Sequence, residues 1–201
     1  MSSNAGARLA LTIALGANVA LSSNRAGAEL LSLDDPRYGA GSITRDTVTR
    51  LEWLDVTQTV GRSFVDVSGR LGPGGAYEGF RHAMASELRT LFVHADIPDV
   101  DAGWSLANYR PVRLFHDLVG SVESPVGFRQ SVGFVADSPE PGFRKRGFAH
   151  SDASAQVGMT DSAGPTDGET SVSTIQGHWL IRPSPVAVEH NAWTAIKRLY
   201  D

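Results

Sequence analysis

The acidic residues in the middle of the chain have the spacing that best suits chemistry. Asp96, Asp99 and Asp101 lie within six residues, and Gly103 follows them. Calcium binds carboxylate and carbonyl oxygens that a flexible loop brings together. The pattern Asp99-x-Asp101-x-Gly103 is only a fragment of a calcium-binding loop, so a solvated surface loop is the alternative. If the protein binds a metal, we predict calcium on Asp96, Asp99 and Asp101.

The one tight basic cluster is Arg144-Lys145-Arg146. Such a cluster could bind sulfated glycans or an acidic partner. Charges that block aggregation at the edge of a surface strand are an equally natural explanation. The pattern therefore indicates a charged surface without choosing between the two roles.

A polar segment at residues 161–174 has almost no apolar residue to anchor it and carries further acids, including Asp167. Its composition predicts a long loop. We expect function to lie in this loop, in the acidic loop that ends at Trp104, and in the basic cluster. The predicted ligand-binding residues are Asp99, Asp101, Trp104, Arg144, Arg146 and Asp167.

Sequence motifs for catalysis are absent. The six histidines form neither H-x-x-H nor H-E-x-x-H, and no G-x-S-x-G is present. The chain has no cysteine, so disulfides, thiolate zinc sites and cysteine nucleophiles are excluded. A Ser-His-Asp triad needs only to meet in space, so an unrecognised hydrolase stays an alternative. We predict a protein that is not an enzyme.

Composition predicts an ordered protein. The 201 residues are 41% hydrophobic and 20% charged, which suits one domain with a real core. The formal net charge of −4 argues against a nucleic-acid partner.

Residues 1–28 resemble a secretory signal peptide. Arg8 precedes an apolar run from Leu9 to Leu21, and Ala26-Gly27-Ala28 forms a small-x-small cleavage site. The run is too short for a membrane span. A buried N-terminal helix is the alternative. We predict export, with a mature domain at residues 29–184.

The remaining segments predict a mixture of helices and strands. An irregular lead-in is expected at 30–41, and the Asp46 side chain is expected to cap a turn through residue 49. Trp53, Phe80, Leu88 and Trp179 are the predicted core. Helices are predicted at 63–71, 85–95 and 108–119, and strands at 42–44, 51–55, 77–81, 128–136, 143–149, 155–160 and 177–182. Residues 185–201 form a predicted tail whose short amphipathic helix could mediate homo-oligomer formation.

Three spaced blocks carry a resemblance to a known family. They are Asp46-Thr47-x-Thr49-x-Leu51-Glu52-Trp53-Leu54, Gly79-Phe80-Arg81-x-Ala83-x-x-x-Glu87-Leu88-x-x-Leu91-Phe92 and Gly177-His178-Trp179-Leu180-Ile181-Arg182-Pro183. They resemble secreted bacterial domains of PEP-CTERM-sorted proteins and, more distantly, the C-terminal domain of Lcl-type adhesins. The resemblance covers roughly residues 41–184. It implies an α+β, C-type-lectin-like fold, with two main helices beside a small, mostly antiparallel sheet and long loops.

The chain departs from that family pattern at several positions. Arg50 stands where the family has glycine, which alters the turn. Met84 replaces the Ser or Thr that would cap the second helix, so another group is expected to cap it. The C-terminus lacks the Pro-Glu-Pro sorting signal. Relatives of the lectin-like fold that make formylglycine work through cysteines, so that chemistry is excluded here.

The resemblance and the predicted export together indicate a secreted binding domain whose partner is an extracellular glycan or a surface protein. The alternative is a structural or assembly subunit of the cell surface or of an extracellular polymer, which would use residues 185–201 for docking.

Overall fold

The computed structural model describes residues 28–160 and 167–185. The predicted signal peptide, apart from residue 28, and the predicted tail, apart from residue 185, lie outside these ranges. The described part is α+β, as predicted, and it contains two sheets where one was expected. The strands are β1 Leu30–Asp35, β2 Gly39–Asp46, β3 Leu51–Leu54, β4 Arg81–His82, β5 Val122–Glu123, β6 Arg129–Phe134, β7 Arg146–Ser151, β8 Ala155–Thr160, β9 Gly177–His178 and β10 Leu180–Pro183. The helices are α1 Phe64–Ser68, α2 Ala85–His94 and α3 Tyr109–Val119, with a 3₁₀ turn at Val56–Thr59.

Sheet 1 has the order β1-β2-β3-β10-β4 and is antiparallel throughout. The lead-in predicted at 30–41 is wrong, because this segment forms the β1–β2 hairpin. Asp35 closes its turn, since its carboxylate accepts the Arg37 N–H at 2.8 Å and its carbonyl accepts the Tyr38 N–H. Leu33 and Tyr38 pack on a small apolar cluster beneath the hairpin, which stabilises it.

A row of charges crosses sheet 1. Arg45, Glu52 and Arg182 are direct neighbours on β2, β3 and β10. Glu52 is almost fully buried and accepts hydrogen bonds from Arg45 at 2.6 Å and from Arg182 at 2.8 Å. Burial alone would raise the pKa of Glu52, but these two guanidinium groups hold it below its usual value. Arg182 also pairs with Asp35 of β1, so the row joins four strands of the sheet.

The closing segment at 177–183 belongs to both sheets. Residues 177–182 were predicted as one strand, but β9 pairs in parallel with β6 of sheet 2, whereas β10 pairs with β3 and β4 of sheet 1. Trp179 stands at the break. Its backbone N–H donates to Phe134, and its indole N–H donates to the Gly147 carbonyl at 3.0 Å. The fully buried Trp179 side chain therefore ties the two sheets together.

Sheet 2 has the order β5-β6-β7-β8. Side chains alternate between its faces, and one face packs on α2 and α3. Ala149, Ala155 and Val157 from this inner face join the main core with Trp53, Leu88 and Trp179. The predicted core residues Trp53, Phe80, Leu88 and Trp179 are all buried, which confirms that prediction. The other face of sheet 2 is the outer face considered below.

The helices largely match their predictions. The Ser63 hydroxyl accepts the Asp66 N–H and begins α1, which is shorter than predicted. Helix α2 begins after Met84, and the Asp137 carboxylate accepts the Ala85 N–H at 2.6 Å. Glu87 accepts the Met84 N–H at 2.8 Å. Other groups thus supply the cap that Met84 lacks, as predicted. No helix within the described ranges has both the length and the apolar character needed to span a bilayer.

Candidate functional site

Two of the three acids predicted to bind calcium have separate side-chain partners, and the third is exposed. The Asp99 carboxylate accepts the Ser105 hydroxyl at 2.6 Å, and the Asp101 carboxylate pairs with Arg89 at 2.9 Å. Asp96 is exposed on a left-handed turn with φ of 56°. Among the residues that the structure describes, no three acidic or histidine side chains gather as a metal site would require. The structure therefore does not bring Asp96, Asp99 and Asp101 together as metal ligands.

The acidic loop instead fastens neighbouring elements to one another. The Asp101 backbone N–H donates to Val157, and its carboxylate accepts the Met159 N–H at 3.1 Å, so the loop lies along β8. The Asp99 backbone exchanges two hydrogen bonds with the Asn108 side chain at the start of α3. Asp99 and Asp101 thus stabilise the loop that carries Trp104.

Arg144, Arg146 and Asp167, also predicted as ligand residues, do come together. Arg146 forms an ion pair with the fully buried Asp167, and Arg144 pairs with Glu169 at 2.6 Å. The Arg144 guanidinium also lies 4.3 Å from the centre of the Phe64 ring. These contacts hold the segment after residue 166 against β7. Because β7 lies between β6 and β8, a role for the cluster in protecting a strand edge does not fit.

The outer face of sheet 2 carries a cavity of about 360 Å³. That volume is near the lower end of the range of roughly 300–1,000 Å³ typical of small-molecule sites. Cross-strand register explains its lining, since Gln130 faces His150 on β7, and His150 faces Gln156 on β8. The full lining is Gln130, Val132, Arg146, Phe148, His150, Gln156, Thr160, Ser173, Ile175 and Gln176.

A row of aromatic rings continues from this cavity along the sheet. Phe148 and His150 stack with their centres 4.9 Å apart, and Phe128 lies 5.1 Å from His150. Trp104 meets Phe128 edge-on at 6.3 Å and lies 6.5 Å from His150. We call Trp104, Phe128, Phe148 and His150 the aromatic row. The predicted ligand residue Trp104, whose side chain is 51% exposed, therefore belongs to the same surface as the cavity.

His150 is uncharged at neutral pH. Burial, and to a smaller extent the nearby Arg146 charge, together lower the pKa of His150 to about 4. The imidazole thus adds a flat aromatic surface with ring nitrogens that can donate or accept hydrogen bonds. It brings no net charge to the cavity.

A second cluster surrounds two buried histidines. His82 and His178 share a hydrogen bond of 3.1 Å, and the other ring nitrogen of His178 lies 3.1 Å from the Arg62 carbonyl. A carbonyl only accepts, so His178 donates to Arg62 and His82 donates to His178. Burial lowers the pKa of His82 to about 3 and that of His178 to about 4. The geometry therefore holds two neutral rings in a fixed chain, with Phe64 stacked on His82 at 4.1 Å.

Sequence reasoning missed the cavity. The strand predicted at 143–149 excludes His150. Gln130 and Gln176 carry no charge that would mark them as site residues. The pairs Gln130 and Val132, and Phe148 and His150, were the available signal. Residues two apart in a strand share a face, so each pair puts one polar and one apolar side chain on the outer face. Comparisons of the chain with models of known families, with curated proteins and with solved structures find no match.

Proposed function

We propose that the chain is a secreted, non-enzymatic domain that binds an extracellular glycan on the outer face of sheet 2. The observation that carries the proposal is the aromatic row beside a cavity lined by amides and hydroxyls. A sugar ring has an apolar C–H face that packs on aromatic rings, and a rim of hydroxyls that needs hydrogen-bond partners. Small-molecule sites combine apolar walls with a few placed polar groups in the same way.

The acidic loop supports the proposal indirectly. Its hydrogen bonds to β8 and α3 fix the backbone on both sides of Trp104, so the exposed indole is held in place. A large exposed aromatic on a rigid support loses little freedom when a ligand packs on it. Asp99 and Asp101 therefore act as positioning residues for Trp104, and ligand contact falls to Trp104.

Export and the finer fold belong to the same proposal. The pattern of residues 1–28 supports secretion. The sequence blocks at 46–54, 79–92 and 177–183 support a C-type-lectin-like architecture, and two long helices beside antiparallel sheets are compatible with it. In this proposal the glycan binds on the outer face of sheet 2 without a metal ion. It does not bind at the calcium loop that the sequence predicted.

Retention on polysaccharides tests the proposal. The mature chain would be passed over cellulose, chitin, dextran, alginate and heparin supports, with calcium and with EDTA. We expect retention on at least one support, unchanged by EDTA. Trp104→Ala is expected to weaken binding by about 30-fold, because aromatic residues at binding hot spots contribute about 2 kcal/mol.

Leu114→Ala is the matched control. Leu114 is 57% exposed on α3, which packs on the inner face of sheet 2, so its loss should leave retention unchanged. Failure to be retained on any support would contradict the proposal. Retention that Trp104→Ala leaves unchanged would place the ligand away from the aromatic row.

A further inference from the structure

Three of the four glutamines in the chain line the cavity on sheet 2. Gln130 and Gln176 are only 3% and 4% exposed. Within the described ranges, the side-chain amide nitrogen of each has no hydrogen-bond partner. A buried polar group without a partner costs about 1–3 kcal/mol. Both residues line one cavity, and because the two nitrogens have almost no accessible surface, each amide would turn toward a ligand in order to donate to it.

The contact with Arg146 shows which end of the Gln176 amide is the donor. The Gln176 amide oxygen accepts from the Arg146 guanidinium at 3.4 Å, which leaves the amide nitrogen as the free donor. Gln130 lies on β6 directly opposite His150. The two residues line the cavity from different parts of the chain, because Gln176 lies directly before β9. A ligand that met both would present acceptor atoms at two places on its rim.

Charge excludes an ionic ligand. Arg146 is the one charged residue among those that line the cavity, and Asp167 neutralises it. Arg144 beside it is neutralised by Glu169. A carboxylate or sulfate would find no uncompensated cation there, and it would lose its hydration without a matching gain. The remaining polar groups are the amide of Gln156, the imidazole of His150 and the hydroxyls of Thr160 and Ser173, which are all neutral.

Three apolar side chains line the rest of the cavity. Val132 and Phe148 are cross-strand neighbours on sheet 2, and Ile175 lines the same cavity. An uncharged ring compound with one C–H face and several hydroxyl acceptors matches both parts of the lining.

We propose that this cavity binds a single uncharged sugar residue of a glycan, and that the side-chain amides of Gln130 and Gln176 donate to its oxygen atoms. The assignment rests on the proposed function and narrows it from glycans in general to neutral sugars. Sulfated and uronic-acid residues are excluded from the cavity.

Saturation-transfer NMR with free sugars tests the assignment. The probes are glucose, galactose, mannose and N-acetylglucosamine, set against glucuronic acid, galacturonic acid and sulfated galactose. We expect at least one neutral sugar to bind, with an affinity that does not change between low and high salt, because no ion pair forms. Gln130→Leu and Gln176→Leu are each expected to weaken that binding by at least about tenfold.

Stability separates a binding role from a structural one. Each leucine variant removes a buried amide nitrogen that lacks a partner, and Gln176→Leu loses in addition only the long 3.4 Å bond from Arg146, so the melting temperature should stay the same or rise while binding weakens. Gln58→Leu, at an exposed glutamine outside the cavity, should change neither quantity. If Gln130→Leu does not fold, Gln176→Leu decides the question.

Two results would overturn the inference without affecting the proposed function. One is retention on a polysaccharide together with binding of acidic or sulfated sugars alone. The other is full binding of a neutral sugar by both leucine variants. No retention on any polysaccharide would instead defeat the proposed function itself.

Discussion

Arg50 occupies a backbone conformation that suits glycine better than arginine. Its φ is 57°, in the left-handed region, at the end of the turn that begins at Asp46. The Asp46 carboxylate accepts the backbone N–H groups of Val48 and Thr49, as the sequence predicted. These bonds, and the Arg50 N–H that donates to the Asp46 carbonyl, form the turn with arginine in the left-handed position.

Replacing Arg50 with glycine should raise the free energy of unfolding by up to about 1 kcal/mol. A non-glycine residue in the left-handed region costs about 1–2 kcal/mol, and the greater freedom of glycine in the unfolded chain offsets about 0.5–1 kcal/mol of the gain. Urea denaturation measures the change. Arg50→Ala keeps the strain and should give no gain. An equal gain from both variants would show that the arginine side chain, and not its backbone angle, is unfavourable.

Single residues also show what sequence can predict. Asp46 and Ser63 act within three residues along the chain, so their capping contacts could be predicted locally. The cap of α2 could not be assigned, because Asp137 lies 52 residues beyond Ala85. The calcium prediction for Asp99 and Asp101 rested on spacing alone. Sequence spacing does not reveal that Ser105 and Arg89 occupy those carboxylates.

At the scale of elements, β7 is shaped by what packs on each of its faces. Gly147 lies on the inner face, where an added Cβ would stand 2.1 Å from Leu88 and 3.1 Å from the Trp179 indole nitrogen. Both neighbours are fully buried, so neither has free space to move into. A residue with no side chain is therefore needed where α2 and Trp179 meet the sheet.

Gly147→Ala should lower the free energy of unfolding by about 1–3 kcal/mol, the usual cost of overpacking a core. Gly72→Ala is the control, because its added Cβ meets nothing within 4 Å and its φ is not positive. Thermal and urea unfolding would compare the two variants. A Gly147→Ala variant as stable as the Gly72→Ala variant would contradict the tight packing of α2 on sheet 2.

Hydrophobic periodicity predicted α2, α3 and β8 closely, because each keeps one pattern along its length. It failed where one segment serves two partners. Residues 177–182 were predicted as a single strand, yet the chain passes from sheet 2 to sheet 1 at Trp179. The cavity could not be predicted either, since its glutamines come from β6, from β8 and from the residue directly before β9. Only the register of the strands brings them together.

At the scale of the whole molecule, buried neutral histidines tie stability to pH. Burial lowers the pKa of His82 and of His116 to about 3, and that of His150 and of His178 to about 4, from an ordinary value of 6.5. The unfolded chain takes up protons near pH 6.5, whereas the folded chain does not. Stability is therefore greatest above pH 6.5 and falls as the pH drops toward 4.

The slope of the free energy of unfolding against pH is expected to approach about 1.4 kcal/mol per pH unit for each of these histidines once the pH is well below 6.5. Carboxylates with lowered pKa values, such as Glu52, begin to lose their contribution only below about pH 4.5. Urea denaturation between those two limits thus reports mainly on the histidines.

His116→Leu should make this slope shallower by one histidine's share. The His116 side chain is fully buried, and its Nε2 has no partner in the described part of the chain. Leucine therefore removes a group whose pKa burial lowers to about 3 in the folded protein. An unchanged slope in His116→Leu would show that this ring is already charged in the native protein.

The central claim is that a glycan binds on the outer face of sheet 2, and NMR of side-chain N–H groups tests it most directly. Labelled protein would be titrated with glucose, galactose, mannose and N-acetylglucosamine, in the presence of EDTA. The account predicts shifts in the side-chain amides of Gln130 and Gln176 and in the Trp104 indole, with the Gln58 amide unmoved. Shifts confined to residues 96–101, and dependent on added calcium, would contradict it.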